Sequence, residues 1–259
     1  MADNSPMPAA SPPRFLAIEC STDTLSVALG TGLQGDPVVE HAGPGGPQSS
    51  TTLLPAVQRL LDQAGWRLHD LSAIAFARGP GSFTGLRTAC AVAQGLAYGT
   101  RDARHPDGLP VLAIDTLQVL AETATPADHA GPVAALLDAR MDELYLAVWQ
   151  RQGTGWTERH APRLCAPDQL ADWLTQALPD EPPLLAGNVF SAYPEALAGL
   201  QASHTTAVAV PSATALLRLA PAAWTRGDAL PAHAAMPLYV RDKVARTTAE
   251  REQPSGVTP

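Results

Sequence analysis

The chain of 259 residues carries a formal net charge of −8, and 46% of its residues are hydrophobic and 16% charged. This length accommodates one large or two modest domains with a substantial core. The negative net charge and the scattered arginines argue against a protein that binds nucleic acid by itself, because neutralising phosphates needs clustered Lys and Arg. No apolar run in the sequence approaches the roughly 20 residues that span a bilayer.

The two ends and the cysteines indicate where the chain is ordered and in which compartment it works. Residues 1–13 lack the basic start and apolar core of a secretory signal, so we expect a disordered leader. The polar residues 245–259 predict a disordered tail. Cys20, Cys90 and Cys165 are far apart and odd in number, which is typical of reduced thiols in a cytoplasmic protein.

Residues 14–116 predict a first lobe, a mixed sheet with helices on its faces. The predicted strands are Phe15–Ile18, Leu25–Leu29, Val38–Glu40, Leu71–Phe76 and Val111–Ile114, and the predicted helices are 52–64 and 84–98. Thr52 is the expected N-cap of the first helix, because Pro55 then lies in the first turn, where N–H groups have no partner anyway. Gly65 is expected to end that helix.

Residues 117–244 predict a second lobe. Its predicted strands are Val133–Leu137, Leu144–Trp149 and Pro183–Ala186, and its predicted helices are Leu117–Ala124, Ala166–Leu178, Ser191–Leu200 and Ser212–Arg226. We also consider that helix 212–226 packs back on the first lobe. Both halves open with an apolar strand and a hairpin, although no repeat of fixed period is evident.

The most informative segment, Ala77–Gly99 (ARGPGSFTGLRTACAVAQGLAYG), joins a strand to a helix through a glycine-rich turn. Backbone N–H groups at such a turn and the helix dipole can face an anion. The candidate nucleotide or anion loop is Gly79, Gly81, Ser82, Thr84 and Gly85. The spacing matches neither common phosphate-binding motif, and Lys243 is the only lysine in the chain. The alternative is that these glycines only permit a sharp turn and close packing of helix on sheet.

Two acidic residues end predicted strands at corresponding places in the two lobes. Glu19 follows the first strand and Asp138 follows the strand that opens the second lobe. Because ligands of α/β sheets meet strand carboxyl ends, the pair could flank a cleft that holds a magnesium nucleotide. The alternative is that both are ordinary turn and cap residues. The seven histidines are spread too widely to predict a metal site.

Four segments together resemble the bacterial TsaB proteins, of the actin-like ATPase superfamily. They are FLAIEC at 15–20, RGPGSFTGLR with the following AQGLAYG at 78–99, DARMDELY at 138–145 and PLYVRDKVA at 237–245. The match covers roughly residues 14–245 in the same order. The resemblance implies an α/β protein with the two-lobed actin-like ATPase (ASKHA) fold, in which mixed β-sheets are flanked by helices.

The resemblance also implies a role in forming threonylcarbamoyladenosine at position 37 of tRNA. In that pathway the related TsaD holds the metal and transfers the threonylcarbamoyl group, and TsaE is an associated ATPase. The chain is then expected to be a non-catalytic subunit that pairs with TsaD, meets TsaE through the complex, and forms a homodimer when alone. It would contact tRNA only indirectly and no membrane. ATP and magnesium would be used by the complex, with no cofactor held tightly by this chain.

The family places its partner contact on helices of the first lobe. The residues that we expect there are Leu53, Leu54, Val57, Leu60, Leu61, Ala89 and Ala93. The alternative is that the leucines face the chain's own sheet. Two departures from the family pattern, Glu19 in place of Asp and Ser49 in place of His, make nucleotide binding by the chain itself doubtful and leave Glu19 and Asp138 as vestigial acids.

Two rival functions follow from the same residues. The first is an autonomous ATP-dependent phosphotransferase, with Glu19 and Asp138 holding magnesium and the glycine turn near the phosphates. The second is a peptidase, which needs a nucleophile–base pair that we cannot assemble from this sequence.

Overall fold

Two five-stranded sheets form the frame of the protein in the computed structural model, which describes residues 11–102, 106–153 and 155–241. The strands are β1 Phe15–Glu19, β2 Thr24–Gly30, β3 Val39–Pro44, β4 Ala73–Ala77, β5 Val111–Ile114, β6 Pro132–Arg140, β7 Glu143–Gln152, β8 Gly155–Cys165, β9 Leu184–Gly187 and β10 Thr206–Val208. The helices are α1 Ser49–Ala64, α2 Phe83–Gly99, α3 Thr116–Ala124, α4 Leu170–Ala177, α5 Val189–Ala192, α6 Ala198–Ser203 and α7 Ala213–Arg226.

The two sheets have the same topology. The first has the order β3-β2-β1-β4-β5, with β1 antiparallel to β2 and parallel to β4. The second has the order β8-β7-β6-β9-β10, with β6 antiparallel to β7 and parallel to β9. The two halves repeat the order and pairing of their strands but not their residues. Because different residues can form the same strand pairs, the repeat does not appear as a fixed period in the sequence.

Helices and sheets stack in five layers around three apolar clusters. Helices α1 and α2 cover the outer face of the first sheet, and α4, α5 and α6 cover the outer face of the second. Between the sheets lie α3 and α7, in a cluster that includes Phe15, Leu117, Trp149 and Leu216. All five residues of β1 are buried, which explains its continuous apolar run.

The two central helices cross between the lobes. Helix α3 follows the last strand of the first sheet but packs on β6, β7 and β9 of the second. Helix α7 follows the second sheet but packs back on β1, β2, β4 and β5. The inner face of each sheet is therefore covered by a helix that follows the other sheet in the sequence. This arrangement ties the two sheets together.

Helix α1 begins earlier than the sequence predicts. It starts at Ser49, after a 3₁₀ turn at Gly46–Gln48, so Thr52 is not its N-cap and Pro55 lies inside the helix. The hydroxyls of Thr51 and Thr52 donate to the carbonyl oxygen of Gln48, each at 2.9 Å. Pro55 is exposed, and because it has no N–H it removes one hydrogen bond from the helix interior. Gly65 ends the helix at φ 66°, as predicted.

Other differences lie in the second lobe. The edge strands β8 and β10 have no counterpart among the predicted strands. In β8 only Trp156 and Cys165 are buried, so the strand lacks an apolar pattern. The predicted helix 191–200 is instead the two short helices α5 and α6, and the predicted helix 166–178 begins with a 3₁₀ turn before α4.

Of the predicted disordered ends, residues 1–10 and 245–259 lie outside the described part of the chain. Within the described residues, no helix combines the length and apolarity needed to cross a membrane.

Two adjacent leucines of α1 differ sharply in their exposure to solvent. Leu53 is fully buried and Leu54 is 50% exposed. We predict that Leu53→Ala lowers the free energy of unfolding by about 2–5 kcal/mol, because it removes buried methyl groups and leaves a cavity. Leu54→Ala, the matched control, should change it by no more than about 0.5 kcal/mol. Urea denaturation of the two variants measures both values, and equal losses would contradict this placement of α1.

Candidate functional site

A cleft of about 380 Å³ opens between the lobes at the carboxyl ends of β1 and β6. Its walls are the turn after β1, the start of α2, the turn after β6 and the C-terminal segment 238–241. Ligands of α/β sheets bind outside strand carboxyl ends, so this is the candidate site. Three of the predicted loop residues, Gly81, Ser82 and Thr84, line the cleft, whereas Gly79 and Gly85 lie behind its wall.

The glycines of the turn are required by close contact with the chain's own backbone. A Cβ atom on Gly85 would lie 1.8 Å from the carbonyl oxygen of Cys20, and one on Gly81 would lie 2.5 Å from that of Ser21. Gly79, at φ 125°, would place a Cβ 2.4 Å from the carbonyl oxygen of Leu238. No side chain fits at such separations, so these glycines let the turn press against the end of β1 and the C-terminal segment.

Several N–H groups of the turn are already bonded inside the chain. The Ser82 N–H donates to the carbonyl oxygen of Ser21 at 2.7 Å, and the Gly79 N–H donates to the hydroxyl of Thr116 at 3.0 Å. The Gly85 N–H donates at 3.4 Å to the Ser82 hydroxyl, which caps α2. These three groups are therefore not available to a phosphate, and the anion-binding role of the turn stays a prediction.

The two strand-end acids do not share the cleft. Glu19 is fully buried and is not part of the cleft wall. One of its carboxylate oxygens, Oε1, accepts from the Ser21 N–H at 2.8 Å, and the other, Oε2, has no hydrogen-bond partner among the described residues. Burial raises the pKa of Glu19 to about 7, against hydrogen bonds from Ser21 that lower it.

Asp138 lines the cleft but is engaged by its own lobe. Its Oδ1 atom accepts from the Arg140 N–H and from the Tyr193 hydroxyl, both at 2.8 Å. The Asn188 side chain accepts from the Asp138 N–H at 2.9 Å. In the described ranges no group of three His, Cys, Asp or Glu side chains is placed to hold a metal ion. Asp138 therefore orders the turn after β6.

An ion pair that the sequence analysis did not foresee bridges the mouth of the cleft. The Arg140 guanidinium of the second lobe donates to the Asp23 carboxylate of the first lobe at 2.6 Å. Arg140, Met141 and Asp142 all have left-handed backbones, with φ of 60°, 59° and 57°. Hairpin turns of this kind favour Asn and Gly, so residues 140–142 predict a turn but not its left-handed backbone. Strained backbone of this kind is common at functional sites.

The C-terminal segment closes another side of the cleft. Arg241 donates to the Arg140 carbonyl oxygen at 3.3 Å and is ion-paired with Glu143. Tyr239 receives a hydrogen bond at 3.0 Å from Arg87, whose guanidinium also lies 3.9 Å from the centre of the Phe83 ring. The segment thus joins the start of α2 to the turn after β6.

Burial corrects the predicted set of partner-contacting residues. Six of the seven are packed inside the chain, namely Leu53, Val57, Leu60, Leu61, Ala89 and Ala93. Only Leu54 is exposed. The buried leucines of α1 face the first sheet. This is the alternative to a partner contact that was stated for them above. The outward side of α2 carries Ala91, Gly95 and Tyr98 instead.

Known proteins that resemble the chain belong to threonylcarbamoyladenosine biosynthesis. The family model described as TsaD, tRNA N6-adenosine threonylcarbamoyltransferase, matches residues 45–248. The tRNA threonylcarbamoyladenosine biosynthesis protein TsaB of Escherichia coli (strain K12) is 33% identical over 237 residues, which cover 90% of this chain and 96% of that protein. The TsaB of Haemophilus influenzae is 31% identical over 241 residues, 89% of this chain and 94% of its own length.

A solved structure shows the same fold. YeaZ from Pseudomonas aeruginosa superposes with a TM-score of 0.72 at 34% identity, covering 88% of this chain and 99% of that chain. The two sheets flanked by helices confirm the actin-like fold expected from the sequence.

Two glycines of α2 test the packing role of the turn. We predict that Gly85→Ala lowers the free energy of unfolding by about 3 kcal/mol or more, because the added Cβ overlaps the Cys20 carbonyl oxygen. The control is Gly95→Ala, at a helix position with nothing within 4 Å of the new Cβ. It should raise stability by about 0.5–1 kcal/mol. Thermal and urea denaturation measure both; a harmless Gly85→Ala would refute the close approach.

Glu19 makes stability depend on pH. Burial raises its pKa from the ordinary 4.5 to about 7 in the folded chain, so between these two values the folded state binds more protons than the unfolded state. The free energy of unfolding therefore falls as pH rises through this window, by up to about 3 kcal/mol. We predict that Glu19→Gln removes this part of the fall. Urea titrations at about pH 5 and pH 8 measure it, with the exposed Glu195→Gln as control; parallel curves for wild type and Glu19→Gln would contradict it.

Proposed function

Since the chain belongs to the TsaB family, we propose that it is the non-catalytic subunit of the complex that forms threonylcarbamoyladenosine at position 37 of tRNA. In this role it binds and supports TsaD, which carries out the transfer. It meets TsaE through the complex, contacts tRNA only indirectly, and pairs with a second copy of itself when TsaD is absent. It acts in the cytoplasm and holds neither ATP nor magnesium tightly by itself.

The observation that supports the non-catalytic role is that most polar groups of the cleft wall and of the layer behind it are bonded within the chain, the Ser21 hydroxyl excepted. The turn N–H groups of Gly79, Ser82 and Gly85 are bonded within the chain. Glu19 lies behind the wall, and Asp138 is held by Arg140 and Tyr193. Groups that bind a nucleotide must face it, and a group already bonded internally would first have to break that bond.

The outward side of α1 and α2 supports the partner-binding role. Ala91 and Gly95 lie one helical turn apart on the exposed side of α2, and a Cβ on Gly95 would meet nothing within 4 Å. Small side chains let a second helix approach closely. Leu54 on α1 and Tyr98 on α2 are 50% and 62% exposed. Large exposed apolar and aromatic side chains are typical of protein interfaces.

Reconstitution tests the function directly. The purified chain alone should neither modify tRNA nor hydrolyse ATP, and its addition to TsaD, TsaE and tRNA should restore threonylcarbamoylation. Full activity of TsaD and TsaE without the chain would contradict the proposal. Tight binding of Mg-ATP with turnover by the chain alone, measured by calorimetry, would support the rival phosphotransferase instead.

A charge on the outward side of α1 tests the contact. We predict that Leu54→Glu weakens binding to TsaD at least about tenfold, because an unpaired carboxylate would be buried in an apolar interface. Its melting temperature should stay close to that of the wild type, since Leu54 is half exposed. Surface plasmon resonance against immobilised TsaD measures the affinity.

The matched control is Leu33→Glu. Leu33 is 47% exposed and follows Gly32, which lies against α7 on the opposite side of the first sheet. This variant should bind TsaD like the wild type. Equal binding by both variants would place the TsaD contact away from α1.

A further inference from the structure

A groove of about 580 Å³ lies between α4 and α6, on the outer side of the second sheet. Leu174, Leu178 and Leu200 form its floor, and they belong to the apolar cluster between this sheet and its outer helices. Three prolines of the loop that follows α4 also line the groove. It shares no lining residue with the cleft between the lobes.

Both walls of the groove are helical and consist of small side chains above the leucine floor. On the α4 side the lining residues are Ala171, Leu174, Thr175 and Leu178. On the α6 side they are Ala196, Gly199, Leu200 and Ser203. Each set follows the spacing i, i+3, i+4, i+7, which places it on one face of a helix. Small side chains on both walls leave the width for a third helix, whose larger side chains can reach the floor.

The second sheet has less helical cover on its outer face than the first. The outer face of the first sheet is covered by α1 and α2, which have 16 and 17 residues and pack against each other. The corresponding helices α4, α5 and α6 have only 8, 4 and 6 residues. The groove is the place where this cover is incomplete, and there the apolar cluster approaches the surface.

The charge around the groove has one sign. Residues 164–217, which contain α4, α5 and α6, include five acidic residues and no Lys or Arg. Three of these acids are exposed and lie next in sequence to a lining residue, namely Asp172, Asp180 and Glu195. We call these three the acidic rim.

The acidic rim has no cation of its own. None of its three carboxylates forms an ion pair with another described residue. The nearby Glu181 does, because Arg159 of β8 lies 3.2 Å from it. His204, which also lines the groove, shares a hydrogen bond with Ser203 at 2.9 Å. A partner that brings basic side chains to the rim therefore meets carboxylates that are not already neutralised.

We propose that this groove binds an amphipathic helix of a partner protein, apolar on one face and rich in Lys and Arg on the other. The apolar face packs on the leucine floor, and the basic side chains lie beside the acidic rim. Apolar burial supplies most of the affinity, and the charges select a basic helix over an acidic one. The groove lies on the opposite outer layer from α1 and α2, so the proposal does not depend on the proposed function.

A synthetic helix tests the proposal against the full chain. The probe has about 18 residues, above the length at which isolated helices are marginal. It carries leucines three and four residues apart on one face and lysines on the other. We expect calorimetry to give a dissociation constant below about 100 μM. Two control peptides should each bind at least about tenfold more weakly: one with glutamate in place of lysine, and one with the leucines distributed over all sides. No binding of the probe, or equal binding of either control, would overturn the proposal.

Two variants of α6 locate the contact. A Cβ on Gly199 would meet nothing within 4 Å, so Gly199→Leu fills the groove without disturbing the fold. It should weaken probe binding about tenfold or more, because its side chain occupies the space that the probe needs. The matched control is Ala198→Leu, which adds similar bulk at an exposed position outside the groove lining. Thermal denaturation should give both variants at least the wild-type melting temperature. Wild-type affinity in Gly199→Leu, or an equal loss in Ala198→Leu, would overturn the location.

A double variant tests the acidic rim. Asp180→Asn with Glu195→Gln should weaken probe binding about threefold or more at low salt, and the difference should shrink in about 1 M salt. The control is Asp107→Asn with Asp128→Asn, which removes the same charge at exposed positions outside residues 164–217. Equal losses in the two double variants would show attraction to net charge alone and overturn the role of the rim.

Sedimentation of the full chain tests a different occupant of the groove. We expect Gly199→Leu to leave the self-association of the chain unchanged. Self-association of the wild type that Gly199→Leu abolishes would show a second copy in the groove and would overturn the proposed partner.

Discussion

The close approach of the glycine turn to the end of β1 is the contact on which the cleft depends. Gly81 and Gly85 bring two backbones together without side chains between them, and the Ser82 N–H completes the contact by bonding to Ser21. This contact sets where α2 begins, and it brings Phe83 and Arg87 to the position where they meet Tyr239. The C-terminal segment and the turn after β6 are then joined through Arg241. A larger residue at Gly85 would disturb the whole chain of contacts.

The exchanged helices explain why two similar sheets form one molecule. Helices α3 and α7 lie side by side between the sheets, and each packs on the sheet that it does not directly follow in the sequence. The buried carboxylate of Glu122 on α3 accepts from Arg218 of α7 at 2.7 Å and from the Trp156 indole of β8 at 2.8 Å. Both central helices and the second sheet therefore meet at one polar cluster inside an apolar layer. Removing one partner from such a cluster would leave a buried charge uncompensated.

Most polar groups of the cleft are bonded to the chain itself. The Ser82 amide, Asp138 and Arg140 all have partners within the chain. The Ser21 hydroxyl is an exception, because it has no hydrogen-bond partner among the described residues. This arrangement suits a frame that supports a partner.

The sequence by itself determined the fold class, the family and most of the elements. Apolar runs such as FLAI at 15–18 and the capping residues Ser212 and Ser82 are local signals, which can be recognised without knowing what lies far away in the chain. Only the tertiary structure decided which face of α1 is buried, that β8 exists, and that Glu19 lies outside the cleft. Periodicity shows that a helix has an apolar side, but what covers that side is a property of contacts between residues far apart in the chain. For the same reason the sequence does not reveal the cluster of Glu122, Trp156 and Arg218, which forms only when β8 and the two central helices pack together.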